Sequence, residues 1–348
     1  MTTDEYFMRR ALQLACNGRG TTSPNPMVGA VVVCDGRIIG EGWHRRFGGP
    51  HAEVNAIASV TATDLLPRST VYVTLEPCSH YGKTPPCSLL LIEKKIARVV
   101  VGCYDPNEKV SGRGVAMLRQ AGIEVEVGVL EKECASLNRF FMTAHRLRRP
   151  YVLLKWACSS DMYLDSERTA GDPAPKFSTP ETLQLMHRIR SEMDMIMVGA
   201  NTVVNDNPRL DVRLFPGRSP RKAVIDGRGR MNVSAAAVEG APLFHFSRSP
   251  LQCVPNVTPC VIDGTDTLRR VLARLFEEGA ISVMVEGGPT LLKSLIDAGL
   301  WDEARIEIAP LQLGDRGRAP MFIPAGETSS EKIGSNLILR VKNTVPSR

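Results

Sequence analysis

The sequence predicts a two-domain α/β protein, and three observations support this class. Strands alternate with helices along both halves, as in layered folds with a partly parallel sheet. The length of 348 residues favours two domains over one. Hydrophobic residues make up 43% and charged residues 23%, as in ordinary globular proteins. The short basic run "HRLRRP" precedes a fresh apolar segment, and it predicts a boundary between domains over 1–147 and 151–348.

The first half is predicted to open with a helix and a hairpin. Residues 4–18 place Phe7, Ala11 and Leu14 on one stripe, which is typical of an amphipathic helix. Asp35-Gly36 separates two apolar runs and indicates a β-hairpin with a tight turn. The following elements are predicted in order: helix at "PHAEVNAIASV", strand at "STVYVTLE", helix after Cys87, strand at "ARVVVGC", helix near 112–121, strand at "IEVEVG", helix over about 131–147.

The second half repeats the alternation with a less regular pattern. Glycines 287–288 follow an apolar strand and precede a helix, which is the pattern of a phosphate-binding turn as well as of an ordinary βα turn. The elements are predicted in this order: strand "YVLLKWACS", helix 179–192, strand "MIMVGA", loop "NDNPRLDVR", strands "KAVID" and "PLFHF", helix 266–278, strand "ISVMVE", helix 290–298, strand "ARIEIAP", last strand near 337–342.

Charge, cysteine content and the N-terminus narrow the class of protein. A net charge of +6 suits an anionic small-molecule substrate and does not call for nucleic acid. No apolar run reaches the length of a membrane span, and the polar N-terminus lacks the features of a secretory signal, so we expect a cytoplasmic protein. Nine cysteines, an odd number, argue against a disulfide framework. Four are expected to be buried apolar residues: Cys34, Cys103, Cys158 and Cys260.

Two segments supply a candidate metal site. "PHAEVNAI" contains His51 and Glu53, and "EPCSHYGKTPPC" contains Cys78 and Cys87. One imidazole and two thiolates are ligands that Zn²⁺ prefers, and three protein ligands leave a position for a catalytic water. Glu53 is the candidate base for the proton of that water. The combination H-x-E with a downstream P-C…C is the zinc deaminase signature, although the spacing between the cysteines here is wider than C-x-x-C.

The loop between the two cysteines leaves an alternative open. His80 and Lys83 in this loop could face a substrate, and Lys83 would suit a phosphate or an exocyclic oxygen. His80 could instead complete a closed, four-ligand structural zinc site. That alternative leaves Glu53 without a role.

The first half resembles the deaminase half of the bifunctional riboflavin biosynthesis deaminase/reductase family. The resemblance rests on "TTSPNPMVGAVVV", "GEGWHRRFGGPHAEVNAI", "YVTLEPCSHYGKTPPC", "ARVVVGCYDPN" and "SGRGVAMLRQAGIEV", and it covers nearly all of 1–147. It implies a cytidine-deaminase-like zinc domain that deaminates 2,5-diamino-6-ribosylamino-4(3H)-pyrimidinone 5′-phosphate. It also implies a zinc site of His51, Cys78 and Cys87, with Glu53 moving the proton. Four residues match the family's substrate contacts: Asn25, His44, His80 and Lys83.

For the second half, the family resemblance implies a dihydrofolate-reductase-like domain. This domain would use NADPH to reduce the ribosyl group to ribityl. The matching segments are "VMVEGGPTLLKSLIDAGLWDE" and "ANTVVNDNPRLDVR". Positions implied for the cofactor are Ala157, Thr202, Asp206, Gly288, Pro289 and Thr290. Positions implied for the substrate are Arg190, Leu210, Arg213 and Glu286. Self-association into a homo-oligomer is also implied by the family alone.

One segment departs from the family pattern. Lys155, Ala157, Ser159 and Asp161 keep the frame of "K-x-A-x-S-L-D-G", but Ser160 and Met162 replace its Leu and Gly, and Lys176 stands at a Trp position. Since Gly tolerates backbone angles that Met does not, the nicotinamide loop is expected to be built differently. Two alternatives therefore stay open. One is a deaminase of nucleosides, nucleotides or a tRNA base with a non-reducing second domain, and the other is a non-catalytic zinc-stabilised protein.

Overall fold

The computed structural model describes residues 1–81, 85–106, 111–168 and 173–344. The chain divides into two compact units, Met1–Arg148 and Arg149–Arg348. Among the described residues, none of the helices combines the length and the apolar character needed to cross a membrane. All nine cysteines are free, and the four expected to be buried are buried.

The first unit is a five-stranded mixed sheet with helices. Its strands follow the order β2-β1-β3-β4-β5. Strand β1 is antiparallel to β2 and β3, whereas β3, β4 and β5 are parallel. The elements are α1 (Thr3–Ala15), β1 (Gly29–Cys34), β2 (Arg37–Trp43), α2 (Ala52–Ala58), β3 (Thr70–Val73), α3 (Cys87–Glu93), β4 (Arg98–Val101), α4 (Arg113–Gln120), β5 (Glu124–Val127), α5 (Glu131–Leu137) and α6 (Arg139–Leu147).

The opening helix and hairpin form as the sequence predicts. Asp35 and Gly36 both have positive φ, at 49° and 73°, as a two-residue type I′ turn requires. Every residue of β1 is buried. Helix α1 packs directly on this strand, because a Cβ on Gly29 would lie 2.0 Å from the carbonyl oxygen of Ala11. The side chain of Thr2 and that of Glu5 close a capping box at the start of α1.

The predicted helix over 131–147 is wrong as a single element. It forms two helices, α5 and α6, which are separated at Asn138 with φ −100° and ψ 24°. The backbone of Asn138 still bonds to both helices, since its N–H donates to the carbonyl of Cys134 at 3.4 Å and its carbonyl accepts from the N–H of Met142 at 2.8 Å. Its amide side chain binds the backbone of Met27 instead of a helix group. The first predicted helix also ends early, at Ala15, and a 3₁₀ turn over Cys16–Gly18 replaces its last turn.

The second unit is built on a long, mostly parallel sheet. The described strands follow the order β11-β10-β9-β8-β12-β6-β13-β16-β15, and β16 runs antiparallel to both neighbours. Strands β7 and β14 form a separate antiparallel pair. The elements are β6 (Tyr151–Cys158), β7 (Tyr163–Ser166), α7 (Pro180–Glu192), β8 (Met195–Gly199), α8 (Ala200–Asp206), β9 (Arg221–Ile225), β10 (Leu243–Ser247), β11 (Val257–Val261), α9 (Thr267–Glu277), β12 (Ser282–Glu286), α10 (Pro289–Asp297), β13 (Glu303–Ile308), β14 (Gly317–Pro320), β15 (Glu327–Ile333) and β16 (Asn336–Lys342).

Five of these elements are absent from the sequence prediction. Strand β15, "ETSSEKI", is almost wholly exposed at the edge of the sheet and therefore shows no apolar alternation. Strand β11 contains Pro259, which is tolerated at an edge but argues against a strand in a sequence. The others are short: β7, β14 and helix α8, which lies in an Asn- and Asp-rich segment.

The basic run at the boundary is exposed over residues 146–148, at the end of α6, and becomes buried at Arg149. Arg149 is buried, and its guanidinium binds both carboxylate oxygens of Asp302 at 2.6 and 2.9 Å. Oδ2 of Asp302 also accepts a hydrogen bond from the backbone N–H of Val152 at 2.7 Å. This ion pair fixes the start of β6 beside the start of β13.

Met162 occupies the backbone conformation that the family pattern assigns to glycine. Its φ is 67°, and its N–H donates to the carbonyl of Ser159 at 3.0 Å in a tight turn between β6 and β7. The side chain packs against the main core of the second unit. The turn therefore keeps a glycine-like shape despite the substitution.

We expect Met162→Gly to be more stable than Met162→Ala. Both variants remove the same packing, but Ala retains the left-handed strain, which costs roughly 1–2 kcal/mol in a residue with a Cβ. The difference in unfolding midpoint of the second unit, measured in urea, checks this. Equal midpoints would mean that the turn relaxes to a negative φ when the side chain is shortened.

Candidate active sites

The three predicted zinc ligands lie together in the first unit. His51 is the N-cap of α2, Cys78 follows β3, and Cys87 is the first residue of α3. Their ligand atoms all lie within 4.8 Å of one another. His51 Nδ1 is 3.6 Å from Cys78 Sγ and 3.4 Å from Cys87 Sγ. Tetrahedral zinc at ordinary bond lengths separates such atoms by about 3.5 Å, so the group fits this metal.

The start of helix α3 holds Cys78 in place. The backbone N–H of Cys87 donates to Cys78 Sγ at 3.2 Å. Both the N–H and the hydroxyl of Ser88 donate to the carbonyl of Cys78, at 3.2 and 3.0 Å. Hydrogen bonds from Cys87 and His51 lower the pKa of the Cys78 thiol to about 4. The hydrogen bond between the two cysteine side chains, together with burial, raises the pKa of the Cys87 thiol. The pair therefore favours one thiolate, at Cys78, before any metal binds.

Glu53 lies in the first turn of α2, beside this cluster. Its side chain is buried, with 3% exposure. Burial, and then the charge of Cys78, raise the pKa of Glu53 to about 7. A carboxyl group with this pKa can both take up and release a proton near neutral pH.

Asn25 and His44 form a hydrogen-bonded pair next to the cluster. Nδ1 of His44 lies 3.0 Å from the carbonyl of Pro50, and because a carbonyl only accepts, this nitrogen carries the proton. Nε2 is then the acceptor for the amide of Asn25 at 3.3 Å. The His44 and His51 rings meet edge to face, with centroids 5.5 Å apart. Burial lowers the pKa of His44, which favours the neutral ring.

The loop between the cysteines carries two of the predicted site residues, His80 and Lys83. His80 is exposed, and it is not a member of the candidate metal group found among the described residues. The closed, four-ligand alternative therefore lacks its fourth ligand. Lys83 lies outside the described residues, so its predicted contact stays a prediction.

Glu76 was not predicted as a site residue, although it directly precedes Pro77-Cys78. Its buried carboxylate accepts hydrogen bonds from the backbone N–H groups of Gly112 at 2.9 Å, Val115 at 3.2 Å and Asp105 at 3.4 Å. It thereby ties the cysteine loop to the start of α4. A charged residue at the end of the apolar strand "VYVTLE" was the available signal.

In the second unit, most of the predicted cofactor residues lie at the carboxyl ends of neighbouring parallel strands. Ala157 is near the end of β6, Thr202 and Asp206 lie on α8 after β8, and Gly288 follows β12. Strand β12 pairs with both β6 and β8. Ligands of open α/β sheets bind at this edge. Pro289 and Thr290 begin helix α10 at the same edge.

Two strand-to-helix turns approach each other closely at this edge. A Cβ on Gly287 would lie 3.3 Å from the backbone nitrogen of Gly199 and 3.8 Å from Thr202 Oγ1. Gly288 caps helix α10, whose first N–H groups have no partner within the helix. The turns leave room for a phosphate-bearing cofactor against bare backbone, so these residues fit NADPH.

Arg190 and Glu286, both assigned to the substrate, bind each other. Nε and Nη2 of Arg190 lie 2.8 and 2.7 Å from the two carboxylate oxygens of Glu286. Nη1 donates to the carbonyl of Asp211 at 3.1 Å. Burial by itself raises the pKa of Glu286, but Arg190 outweighs it and leaves this pKa below its usual value. The guanidinium that the family resemblance assigns to the substrate is thus paired with Glu286 in this structure.

The other two residues assigned to the reductase substrate lie on the segment after α8. Leu210 is buried with a positive φ of 56°. The Arg213 side chain is exposed, and the backbone N–H of Arg213 donates to Nδ1 of buried His187 at 3.2 Å. This contact ties the segment to helix α7, which carries Arg190.

Arg168 was missed by the sequence analysis. It binds Asp206 at 2.7 Å and both oxygens of Asp165 at 3.0–3.1 Å. The sequence feature that could have pointed to Arg168 is its position inside the segment that departs from the family pattern. Arg168 joins that segment to helix α8 and therefore to the predicted cofactor edge.

Two family models match the chain. The model of the RibD C-terminal domain matches residues 150–344. The model of the cytidine and deoxycytidylate deaminase zinc-binding region matches residues 1–103. The chain belongs to the RibD family.

Relatives match over nearly the whole length. The riboflavin biosynthesis protein RibD of Aquifex aeolicus is 37% identical, over 97% of this chain and 98% of its own. RibD of Escherichia coli K12 is 38% identical, over 93% and 92%. The solved structure of a Thermotoga maritima deaminase/reductase has a TM-score of 0.87 at 37% identity, with 98% of both chains covered. Acinetobacter baumannii RibD has a TM-score of 0.88 at 33% identity, with 99% of both chains covered.

Membership of the RibD family confirms the predicted fold class and the general function. The chain is an enzyme of riboflavin biosynthesis with a deaminase half and a reductase half, and its cofactors are zinc and NADPH. The alternatives without reduction or without catalysis are thereby disfavoured.

Asp206→Asn is expected to lower NADPH-dependent reduction about tenfold or more and to leave deamination unchanged. The variant keeps the size of the side chain but weakens its charge-assisted bond to Arg168 and any contact with the cofactor. Both activities are measured on the same preparation. Asp165→Asn is the matched control, since it removes the charge of another carboxylate that binds Arg168. Equal losses in the two variants would assign the effect to Arg168 rather than to cofactor binding.

Proposed function

We propose that this chain catalyses two reactions on one phosphorylated pyrimidine. The first is hydrolytic deamination of 2,5-diamino-6-ribosylamino-4(3H)-pyrimidinone 5′-phosphate, and the second is NADPH-dependent reduction of its ribosyl group to ribityl. The observation that carries the proposal is the group of His51, Cys78 and Cys87 with Glu53 buried beside it. The Thermotoga maritima relative is named as a diaminohydroxyphosphoribosylaminopyrimidine deaminase and 5-amino-6-(5-phosphoribosylamino)uracil reductase, which agrees with both steps.

In the deaminase half, His51, Cys78 and Cys87 hold the zinc. When bound, zinc would supply a water of lowered pKa, the nucleophile that hydrolytic deamination needs at the ring carbon bearing the 2-amino group. Glu53 would take up the proton of the nucleophile and release it to the leaving amino group, which departs as ammonia. Asn25 and His44 orient the substrate from the side of the cluster, together with His80 and Lys83 of the cysteine loop.

In the reductase half, the residues of the chain bind and orient the cofactor and the substrate. The turns at Gly288–Thr290 and at Thr202–Asp206 hold the cofactor, together with Ala157 near the end of β6. Arg190, Leu210, Arg213 and Glu286 hold the substrate, and the Arg190–Glu286 pair keeps both side chains in fixed positions. Hydride transfer is the chemistry of NADPH itself, so positioning is the main contribution of the protein.

We further propose that the protein works in the cytoplasm as a homo-oligomer. The absence of a membrane-spanning helix among the described residues is compatible with this location. The oligomeric state rests on the family resemblance, and sedimentation of the purified protein measures it directly. A single monomeric species at enzyme-assay concentrations would refute it.

The experiment that tests the proposed function follows both steps in one tube. Purified zinc-loaded protein receives the diaminopyrimidinone ribosyl phosphate and NADPH, and ammonia release and NADPH oxidation are recorded together. Ammonia followed by NADPH oxidation is the expected result. Ammonia alone would restrict the chain to deamination and point to the segment around Met162. Neither product, with zinc bound, would refute the proposed substrate.

A further inference from the structure

Asn138 links two segments of the first unit that are far apart in the sequence. Its Oδ1 accepts from the backbone N–H of Met27 at 2.8 Å, and its Nδ2 donates to the carbonyl of Met27 at 2.9 Å. The side chain is 3% exposed. We propose that Asn138 is a positioning residue of the deaminase site, which fixes the turn that presents Asn25 to His44. This inference rests on the proposed function, because Asn25 is assigned to the substrate there.

The backbone of Met27 depends on this amide. The pairing of β1 with β2 and β3 begins only at Gly29 and Ala30, so neither ladder supplies partners for Met27. The Asn138 side chain satisfies both of its backbone groups, as a neighbouring strand would. A backbone N–H or C=O that loses its hydrogen-bond partner away from water costs free energy. This cost favours a rearrangement of the local chain that restores a partner.

The opposite end of the turn is held independently. The N–H of Thr22 donates to the carbonyl of Gly18 at 3.2 Å, and the N–H of Asn25 donates to the carbonyl of Thr22 at 2.9 Å. The carbonyl of Thr21 accepts from Phe47 at 3.0 Å. Asn25 therefore lies between two anchors. Removal of Asn138 releases the anchor at Met27, two residues from Asn25, and leaves the next contact along the chain at Val28, whose carbonyl accepts from the N–H of His44 at 2.9 Å.

Loss of the Asn138 contacts should displace Asn25, which is assigned to the substrate, and leave the candidate zinc ligands in place. The amide of Asn25 meets Nε2 of His44, whose Nδ1–H donates to Pro50. The cysteine ligands are fixed by other contacts, chiefly the N–H of Cys87 and the side chain of Ser88. A shifted Asn25 should weaken substrate binding while zinc and the proton transfer at Glu53 stay in place.

The first test is Asn138→Ala in the full-length, zinc-loaded protein. We expect the deaminase KM to rise about tenfold, since small displacements of positioning groups have effects of this size, with kcat and zinc content nearly unchanged. Asn336→Ala is the matched control. Asn336 is a buried asparagine of the second unit whose amide makes three hydrogen bonds, and its loss should leave the deaminase KM unchanged. An unchanged KM in Asn138→Ala, or a loss of zinc, would overturn the inference.

A double-mutant cycle separates positioning from general stabilisation. If Asn138 acts through Asn25, Asn138→Ala adds little to the KM of Asn25→Ala, whereas independent effects multiply. If Asn25→Ala leaves KM unchanged, the assignment of Asn25 to the substrate fails. If Asn25→Ala raises KM and Asn138→Ala does not, only the positioning inference fails. Should Asn138→Ala not fold, Asn138→Asp is used, which keeps the acceptor for Met27 N–H, and a raised KM is again expected.

Discussion

Glu53→Gln is expected to lower deamination at least about a hundredfold while zinc stays bound. General acid–base groups contribute factors of this order, and the amide of Gln cannot carry a proton between water and the leaving amino group. The substitution keeps the size of the side chain and replaces none of the three candidate ligands, so the group of His51, Cys78 and Cys87 remains complete. Ammonia release, with zinc content measured on the same sample, checks the prediction.

The reductase half supplies an internal control for this variant. Given 5-amino-6-(5-phosphoribosylamino)uracil directly, Glu53→Gln should oxidise NADPH at the rate of the parent protein. Glu41→Gln is the matched substitution, because Glu41 is a partly buried glutamate of the same unit whose partner is Arg10 at 2.6 Å. It should leave deamination unchanged. A loss of deamination below about tenfold in Glu53→Gln would exclude Glu53 as the group that moves the proton.

The zinc group could be predicted from sequence because its chemistry is concentrated in two short segments. His51 and Glu53 lie two residues apart at a helix start, and the cysteines flank one loop. The residues that hold this group in place were harder to find. Glu76, Ser88 and Asn138 act through backbone groups of distant segments, and these partners become visible only when the chain is folded.

In the second half, more structural features could not be predicted from the sequence. The alternation of strands and helices predicts its parallel sheet, but the exposed edge strand β15 lacks the apolar period on which such a prediction depends. Met162 was expected to change the shape of its turn, yet it adopts the positive φ of the glycine it replaces. Packing of its side chain against the core offsets the strain, and sequence reasoning has no measure of that balance.

Arg190→Met is expected to destabilise the second unit by about 3 kcal/mol and to abolish reduction. Removal of one partner from a buried ion pair leaves the other charge uncompensated, and such losses typically amount to 3–5 kcal/mol. Arg190 and Glu286 have only 15% and 17% side-chain exposure and meet through two hydrogen bonds. Urea unfolding of the full chain gives the stability of the unit, and NADPH oxidation gives its activity.

The double variant Arg190→Met/Glu286→Gln separates the two effects. It replaces the buried carboxylate by a neutral amide, so it should regain part of the stability lost in Arg190→Met. It should not regain reduction, because both side chains assigned to the substrate are changed. Recovery of both properties would mean that the pair serves only the fold. If Arg190→Met is as stable as the parent protein, another cation compensates Glu286, and Lys155, which also lowers the pKa of this carboxyl, is the residue to substitute next.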